Sequence, residues 1–256
     1  MATVLSGTSG ALYYSPAGTT ATFGESDVNA TTDVITVDTY LNFKVGDPVK
    51  FSVVNTETGG AGTGTLPGGL SAGTTYYVIG YTASTGALTV SGTLGGGSVA
   101  ITDDGTAVTP NAFKVTYSAP AAVGSVREWS FEITRSEIDV TTIGLTAGQY
   151  APFRAYITGY ADGSGSATVY TTDEDTNLAS RMVEDVIQRQ QTGATMKLYI
   201  DRVYSGGNVS DSLSRSITVP VILTSASLTV NPDDGQSVEI AFRPSEAPTF
   251  DLTKSA

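Results

Sequence analysis

The chain contains the stretch Arg127-Glu-Trp-Ser-Phe-Glu-Ile-Thr-Arg135, in which apolar and polar residues alternate. Because successive side chains of a β-strand point to opposite faces of a sheet, this pattern predicts a half-buried strand. One face is apolar and suited to a core, and it carries Trp129, Phe131 and Ile133. The other face is polar, and it carries Glu128, Ser130, Glu132 and Thr134.

Similar short runs, broken by Gly, Asp and Pro, recur along most of the chain. Near the end, residues 227–230 and 238–242 flank residues 231–236, which contain an Asp-Gly pair typical of a β-hairpin turn. Thr, Val, Tyr and Ile suit a pleated, half-buried surface. The sequence therefore predicts a mostly β fold.

One segment departs from this pattern. Residues 177–191 place apolar side chains at helical spacing, and these are Leu178, Met182, Val183, Val186 and Ile187. Acidic residues at 173–175 favour a helix N-terminus, and Gly193 suits the end of a helix. We expect a single α-helix at about 177–191, packed through this stripe.

The start of that helix also resembles a calcium-binding loop. Asp173-Glu-Asp-Thr-Asn177 with Glu184 nearly matches the EF-hand spacing. However, Leu178 stands where the loop needs Gly, and Arg181 would put a cation inside the cage. We interpret the acidic run as helix N-terminal charge, with a weak surface cation as the alternative.

The composition excludes several kinds of chemistry. The 256 residues include 13 Lys+Arg against 25 Asp+Glu, a formal net charge of −12, with no His and no Cys. These absences exclude disulfides, zinc–thiolate sites and Ser-His-Asp triads, so Gly69-Leu-Ser-Ala-Gly73 is not a nucleophile elbow. We expect that the protein is not an enzyme and that it has no catalytic, cofactor-binding or metal-binding residues. The acidity also disfavours a nucleic-acid clamp.

The chain divides by composition. Residues 27–118 are rich in Gly and carry only three bases, which are Lys44, Lys50 and Lys114. We interpret this stretch as a small β domain inserted into a discontinuous domain made of residues 1–26 and 119–256. Since insertions are tolerated best at exposed loops, we expect the inserted domain on the outer surface of any assembly that the discontinuous domain forms.

The stretch Trp129-Ser-Phe-Glu-Ile-Thr-Arg-Ser-Glu-Ile-Asp-Val-Thr-Thr-Ile-Gly144 resembles the major tail tube proteins of tailed bacteriophages. In that family a strand with W-x-F/L-x-I/V-T runs into an acidic E-x-D-V-T-T-x-G turn. The matching residues are Trp129, Glu137, Asp139, Thr141, Thr142 and Gly144. Segments 11–20, 159–166 and 226–242 resemble the family's opening strand, strand turn and closing hairpin, in the same order.

The resemblance implies two packed β-sheets and one helix in a subunit that forms hexameric rings. The rings stack into a tube whose inner wall is a continuous barrel, through which DNA passes without sequence-specific binding. It further implies a virion protein assembled in the bacterial host cytoplasm. The partners would be the tape measure protein, the terminator and, where a tail contracts, a sheath. We expect no secretion signal and no membrane-spanning segment.

An acidic lumen would repel phosphate and keep DNA from sticking. The candidate lumen-facing residues are Glu128, Glu132 and Glu239. Alternation alone leaves open a second interpretation, in which these carboxylates lie on a solvated outer face.

Two other functions remain open at this stage. The 13 Tyr and the Gly-punctuated β pattern also suit a carbohydrate-binding or adhesin module of a virion or cell surface. A polysaccharide-degrading enzyme that uses paired carboxylates is a further alternative. By default we expect alternating tyrosines such as Tyr77 and Tyr199 in the core.

Overall fold

The computed structural model describes residues 9–118, 120–124, 126–141, 154–170, 178–188, 193–230 and 236–253. This part of the chain is mostly β and contains one α-helix, α1 (Leu178–Val186). The strands, in chain order, are β1 (Ala11–Ser15), β2 (Thr20–Phe23), β3 (Val28–Asn29), β4 (Val34–Thr36), β5 (Pro48–Asn55), β6 (Thr75–Thr82), β7 (Ala87–Ser91), β8 (Asn111–Tyr117), β9 (Ala121–Ala122), β10 (Val126–Asp139), β11 (Tyr156–Tyr170), β12 (Thr195–Asp201), β13 (Tyr204–Ser205), β14 (Asn208–Val209), β15 (Arg215–Thr229), β16 (Ser237–Pro244) and β17 (Thr249–Asp251). A short 3-10 helix covers Glu25–Asp27.

The first sheet has eight strands in the order β10-β11-β16-β15-β12-β1-β9, with β17 added beside β15. Its 15-residue strand β15 connects two halves, because its first part pairs with β12 and its last part with β16. One core serves both halves, and α1 contributes Leu178 and Met182 to it.

The second sheet has seven strands in the order β2-β8-β5-β6-β7-β4-β3 and its own core. Three phenylalanine rings, Phe23, Phe51 and Phe113, meet there at centroid distances of 5.3 Å and 6.2 Å from Phe23. Strand β2 belongs to this sheet, since Phe23 lies opposite Phe113. The division between the two sheets therefore falls before Thr20, within the segment that the sequence analysis groups as 1–26.

The predicted closing hairpin is confirmed. Thr229 lies opposite Ser237, and Ser227 lies opposite Glu239. Its turn, residues 231–235, is outside the described residues.

The predicted helix is confirmed in place and corrected in length. Met182 is fully buried, as the apolar stripe requires, but α1 ends at Val186. Ile187 therefore lies past the helix with 86% of its surface exposed, and it does not join the stripe. Residues 177 and 189–191 are outside the described residues.

The expectation for the two tyrosines is half correct. Tyr199 is buried in the first sheet, but in β6 the buried ring is Tyr76 and Tyr77 is only partly covered. Because neighbouring strand residues face opposite ways, Tyr77 points out of the core once Tyr76 points into it.

Candidate assembly surface

Four strands of the first sheet, β10, β11, β16 and the last part of β15, present one continuous polar face. Directly opposite residues form rows across the strands, and opposite residues share a face. One row is Glu128, Thr168, Glu239 and Ser227, and the next is Ser130, Ser166, Ala241 and Ser225. Glu132 follows opposite Ser164. The structure thus brings the three predicted carboxylates to one face.

The opposite face of these strands is covered by the core. Trp129 and Phe131 pack against it, and the Phe131 ring stacks on Phe242 at 6.2 Å. Gly165 lies between these two residues in the row, where a Cβ would come within 2.3 Å of the Phe242 ring. Glycine at this position therefore permits the stacking.

Ile133 corrects the prediction of a three-residue apolar face. It shares the parity of Trp129 and Phe131 but is 47% exposed. Strand β10 continues beyond the core at this point, so alternation placed Ile133 on the right face of the strand but not in contact with the core.

The charges on the polar face are mostly negative. Glu128, Glu132 and Glu239 are all exposed. Arg243 lies at the end of the same face, where its guanidinium is 3.7 Å from the Asp162 carboxylate. Hydroxyl groups fill much of the remainder, and the Ser130 and Ser166 oxygens are 3.0 Å apart.

The four strands end in two open edges. Strand β10 pairs with β11 on one side, and no described strand pairs with its other side. Along β15, the edge that pairs with β12 reaches its last bond at Val221, whose N–H donates to the Ala194 carbonyl. Beyond Val221, no described strand pairs with this edge. Open edges present unpaired backbone groups and favour pairing with another chain.

The ends of β10 and β11 extend past the core as a two-stranded arm. The exposed apolar residues of this arm are Ile133, Ile138, Val140, Tyr156, Ile157 and Tyr160. An isolated two-stranded hairpin is marginally stable in water, and clustered exposed apolar residues typically mark an interaction surface.

Several residues of the tail-tube-like motif lie at the end of this arm. The Thr141 N–H donates to the Asp139 carboxylate at 2.9 Å, and the Thr141 hydroxyl accepts from the Ala155 N–H at 2.9 Å. The Thr141 hydroxyl and N–H lower the pKa of Asp139. Asp139 also lies 3.8 Å from Arg154. These bonds join the two strand ends. Glu137 is exposed beside them, and Thr142 and Gly144 are outside the described residues.

A buried polar cluster joins α1 to the second sheet. Asp185 of α1 accepts hydrogen bonds from the Tyr14 hydroxyl at 2.7 Å and the Asn42 amide at 2.6 Å. Arg181, one turn earlier, pairs with Asp47 and donates to the Asn42 carbonyl. All five side chains are buried, and we name them the junction cluster.

Burial raises the pKa values of two members of the junction cluster, Tyr14 and Asp47. It raises the pKa of Tyr14, an effect to which the Asp185 carboxylate adds. It also raises the pKa of Asp47, against the opposing influence of the Arg181 guanidinium. The junction cluster was not predicted from the sequence. The available signal was the spacing of Arg181 and Asp185, four residues apart on one side of the predicted helix.

The calcium-loop alternative finds no further support in the described residues. Asp173, Asp175 and Asn177 lie outside them, and Glu184 pairs with Lys44 at the rim of the junction cluster. Across the described part of the chain, no group of three or more acidic side chains is placed to hold a metal ion. Within the same residues, no helix is long and apolar enough to cross a membrane.

Among solved structures, eleven chains match this one. The tail of an empty gene transfer agent particle with C6 symmetry is 16% identical, with a TM-score of 0.38 over 52% of this chain and 87% of that chain. The virion of a native gene transfer agent particle gives 16% identity and a TM-score of 0.37, over 52% and 89%. The SPP1 tail tube gives 12% identity and a TM-score of 0.32, over 53% and 70%.

No family model and no curated protein matches the chain. The function of this chain is therefore inferred from its own residues and contacts.

Proposed function

We propose that this chain is a structural virion protein that assembles into hexameric rings, which stack into the tube of a phage tail and conduct DNA. The observation that carries the proposal is the four-stranded part of the first sheet. It has two open edges, one covered face and one polar, acidic face. Open edges of this kind favour pairing with a strand of another chain.

The strand directions support closure between copies. Each neighbouring pair in the order β10-β11-β16-β15 is antiparallel, so β10 and β15 themselves run in opposite directions. The β15 edge of one subunit then meets the β10 edge of the next as another antiparallel pair. Head-to-tail contacts of this type form a closed ring when the rotation between subunits closes. The ring removes both open edges of the four-stranded part of the sheet.

In such a ring only the polar face is free to line the channel. The opposite face is packed against the core that includes α1. Glu128, Glu132 and Glu239 would therefore face the lumen and repel the phosphates of passing DNA.

From the same geometry we infer that the inserted residues lie outside the ring. Helix α1 packs on the core side of β15 and β16, and the junction cluster attaches the second sheet to α1. These contacts support a second sheet that lies on the side of the first sheet opposite to the polar face. We propose that the inserted domain decorates the outer surface of the tube.

Electron microscopy of the concentrated full-length protein tests the proposal. We expect hollow rings and stacked tubes with a sixfold projection. Monodisperse monomers at every salt and protein concentration would overturn it.

Cysteine crosslinking tests the edge pairing directly, since the chain has no native Cys. We would combine Ser225→Cys in β15 with single cysteines at each position from 130 to 134 in β10. At the correct register, oxidation yields a reducible ladder that ends at six subunits. The matched control pairs Ser225→Cys with Thr89→Cys in β7. A ladder from the control, or none from any β10 position in assembled protein, contradicts the pairing.

A further inference from the structure

The outer face of the second sheet carries an acid-free group of lysines and hydroxyls. The residues of β2, β5 and β8 that point away from the core include Lys50, opposite Thr116, and Lys114, opposite both Ser52 and Thr22. Thr20 and Thr75 complete the group, opposite Thr116 and Lys50. We name these seven residues the lysine face. We infer that the lysine face binds an acidic polysaccharide.

The charges of this part of the chain are separated by position. The acidic residues between 20 and 117 all lie outside the strands of the second sheet, and they are Glu25, Asp27, Asp33, Asp38, Asp47, Glu57, Asp103 and Asp104. Of the three bases, Lys44 pairs with Glu184. Neither Lys50 nor Lys114 has an ion-pair partner among the described residues. Both unpaired bases lie on the same face.

The two lysines are close enough to act together. Since Lys50 lies opposite Thr116 and Lys114 lies two residues earlier on the same strand, they are diagonal neighbours, with Cα atoms about 7–8 Å apart. The chain as a whole has a net charge of −12, but this pair of lysines attracts anions locally.

The shape of the face favours a polymer. Small ligands are bound in concave pockets, whereas a sheet face is open and extended. The Thr and Ser hydroxyls around the lysines both donate and accept hydrogen bonds, as sugar hydroxyls require. The lysine ammonium groups would then contact the carboxylate, phosphate or sulfate groups of the polysaccharide.

A cleft at one end of the face suits a sugar ring. Pro48 and Tyr77 continue the outward-facing positions of β5 and β6, directly opposite each other. Both also line a cleft of about 430 Å³ between the second sheet and α1, together with Leu94 and Tyr117. The two carboxylates of this cleft are each paired with a base, Glu184 with Lys44 and Asp47 with Arg181. Tyrosine rings offer an apolar surface with a polar tip, a combination that fits the two sides of a sugar.

This inference does not depend on tube assembly, so the full-length protein is tested in whatever state it adopts. Immobilised dextran sulfate is the acidic probe, neutral dextran controls for the sugar, and poly-glutamate controls for charge. We expect binding to dextran sulfate at about 50 mM salt that weakens at about 300 mM, and no binding to neutral dextran.

The variants assign the binding to the face. We expect K50Q and K114Q each to weaken dextran sulfate binding several-fold, and the double variant about tenfold or more. The matched control is K197Q, which removes one charge from β12 in the first sheet and should bind like the wild type. Equal binding by the double variant, or no binding at low salt, overturns the inference. Equal affinity for poly-glutamate shows that charge alone acts and overturns the assignment to a polysaccharide.

Discussion

The Tyr14 hydroxyl donates a hydrogen bond to the Asp185 carboxylate across 2.7 Å, although 171 positions separate the two residues in the chain. Asp185 is 1% exposed and Tyr14 is fully buried. The second oxygen of Asp185 accepts from Asn42 in the segment that precedes β5. One carboxylate on α1 therefore contacts β1 of the first sheet and a loop of the second sheet together. The orientation of the second sheet relative to α1 is set by specific, buried polar contacts.

Removal of the Tyr14 hydroxyl should destabilise the protein. A hydrogen bond to a buried charged group contributes about 1.5–3 kcal/mol, and we expect Tyr14→Phe to lower the free energy of unfolding by that amount. Urea denaturation measures the loss. The control is Tyr13→Phe in the same strand, whose hydroxyl accepts a 3.4 Å bond from Arg202. That change should cost about 1 kcal/mol or less. Equal losses for the two variants contradict the role of Asp185.

The Arg181–Asp47 pair should behave as a coupled buried pair. Arg181→Met leaves the Asp47 carboxylate buried without its partner, and such a break costs about 3–5 kcal/mol. The double variant Arg181→Met/Asp47→Asn should cost clearly less than the sum of the two single variants. The exposed Lys44–Glu184 pair provides the control, since Lys44→Gln should cost less than about 1 kcal/mol. Additive losses from the single variants argue against coupling.

Alkaline pH should weaken the fold through buried phenols. Burial, together with the Asp47 carboxylate, raises the pKa of Tyr117 to about 12. An unfolded phenol has a pKa near 10, so the unfolded state loses its proton first. The stability that Tyr117 contributes is complete below about pH 10 and is lost as pH rises toward 12, by up to about 1.4 kcal/mol per pH unit.

Unfolding free energies measured between pH 8 and pH 12 check this dependence. Tyr117→Phe should reduce the slope above about pH 10. The comparison variant is Tyr160→Phe, whose ring is 92% exposed and should leave the slope as it is. The same slope in wild-type protein and Tyr117→Phe is the result that would contradict this account.

In the proposed tube, reversal of the charges on the polar face should change whether the channel retains DNA. Because Glu128, Glu132 and Glu239 are exposed on one face, we expect their triple change to Lys to leave folding and assembly intact. Tubes of this variant should hold short duplex DNA inside the channel, in a salt-dependent way. Cryo-electron microscopy of the tubes with added DNA shows where the duplex lies. The control changes Glu57, Asp103 and Asp104, which lie in loops between the strands of the second sheet, to Lys. Channel density in the control, or only outside density in the first variant, counts against an acidic lumen.

A deletion that removes all strands of the second sheet should leave the proposed assembly intact. A Gly/Ser bridge replacing residues 20–117 removes every strand of that sheet together with its core. This deletion removes Asn42 and Asp47 from the junction cluster. The Arg181 and Asp185 side chains are then solvated by water instead. A deletion of residues 27–118 instead keeps β2 and exposes Phe23, which is 4% exposed in the whole chain. We expect tubes from the first deletion and poor solubility from the second. If neither deletion folds, the proposed domain division is wrong.

Local pattern was sufficient for much of this structure. The alternation from Glu128 to Thr134 placed four carboxylate-bearing or hydroxyl-bearing positions on one face and two aromatic rings on the other, because a strand repeats every two residues. The stripe that includes Leu178 and Met182 predicted α1 for the same kind of reason. The end of α1 could not be predicted from the stripe, because helix termini depend on capping contacts that a hydrophobic stripe does not encode.

Other features depended on contacts between distant residues. Tyr76 and Tyr77 both suit a strand, and only packing selected which ring is buried. The assignment of β2 to the second sheet came from pairing with β8, about ninety residues later.

The sequence by itself determined the strand-rich class, the helix and the polar and apolar faces of β10, because each follows from periodicity within a few residues. Only the tertiary structure decided that Glu128 and Glu239 share one row, since sheet register joins residues that are far apart in the chain. It also decided that Arg181 and Asp185 are buried, although charged residues on a helix usually face water. Their burial is possible because the second sheet and β1 supply partners that no local pattern contains.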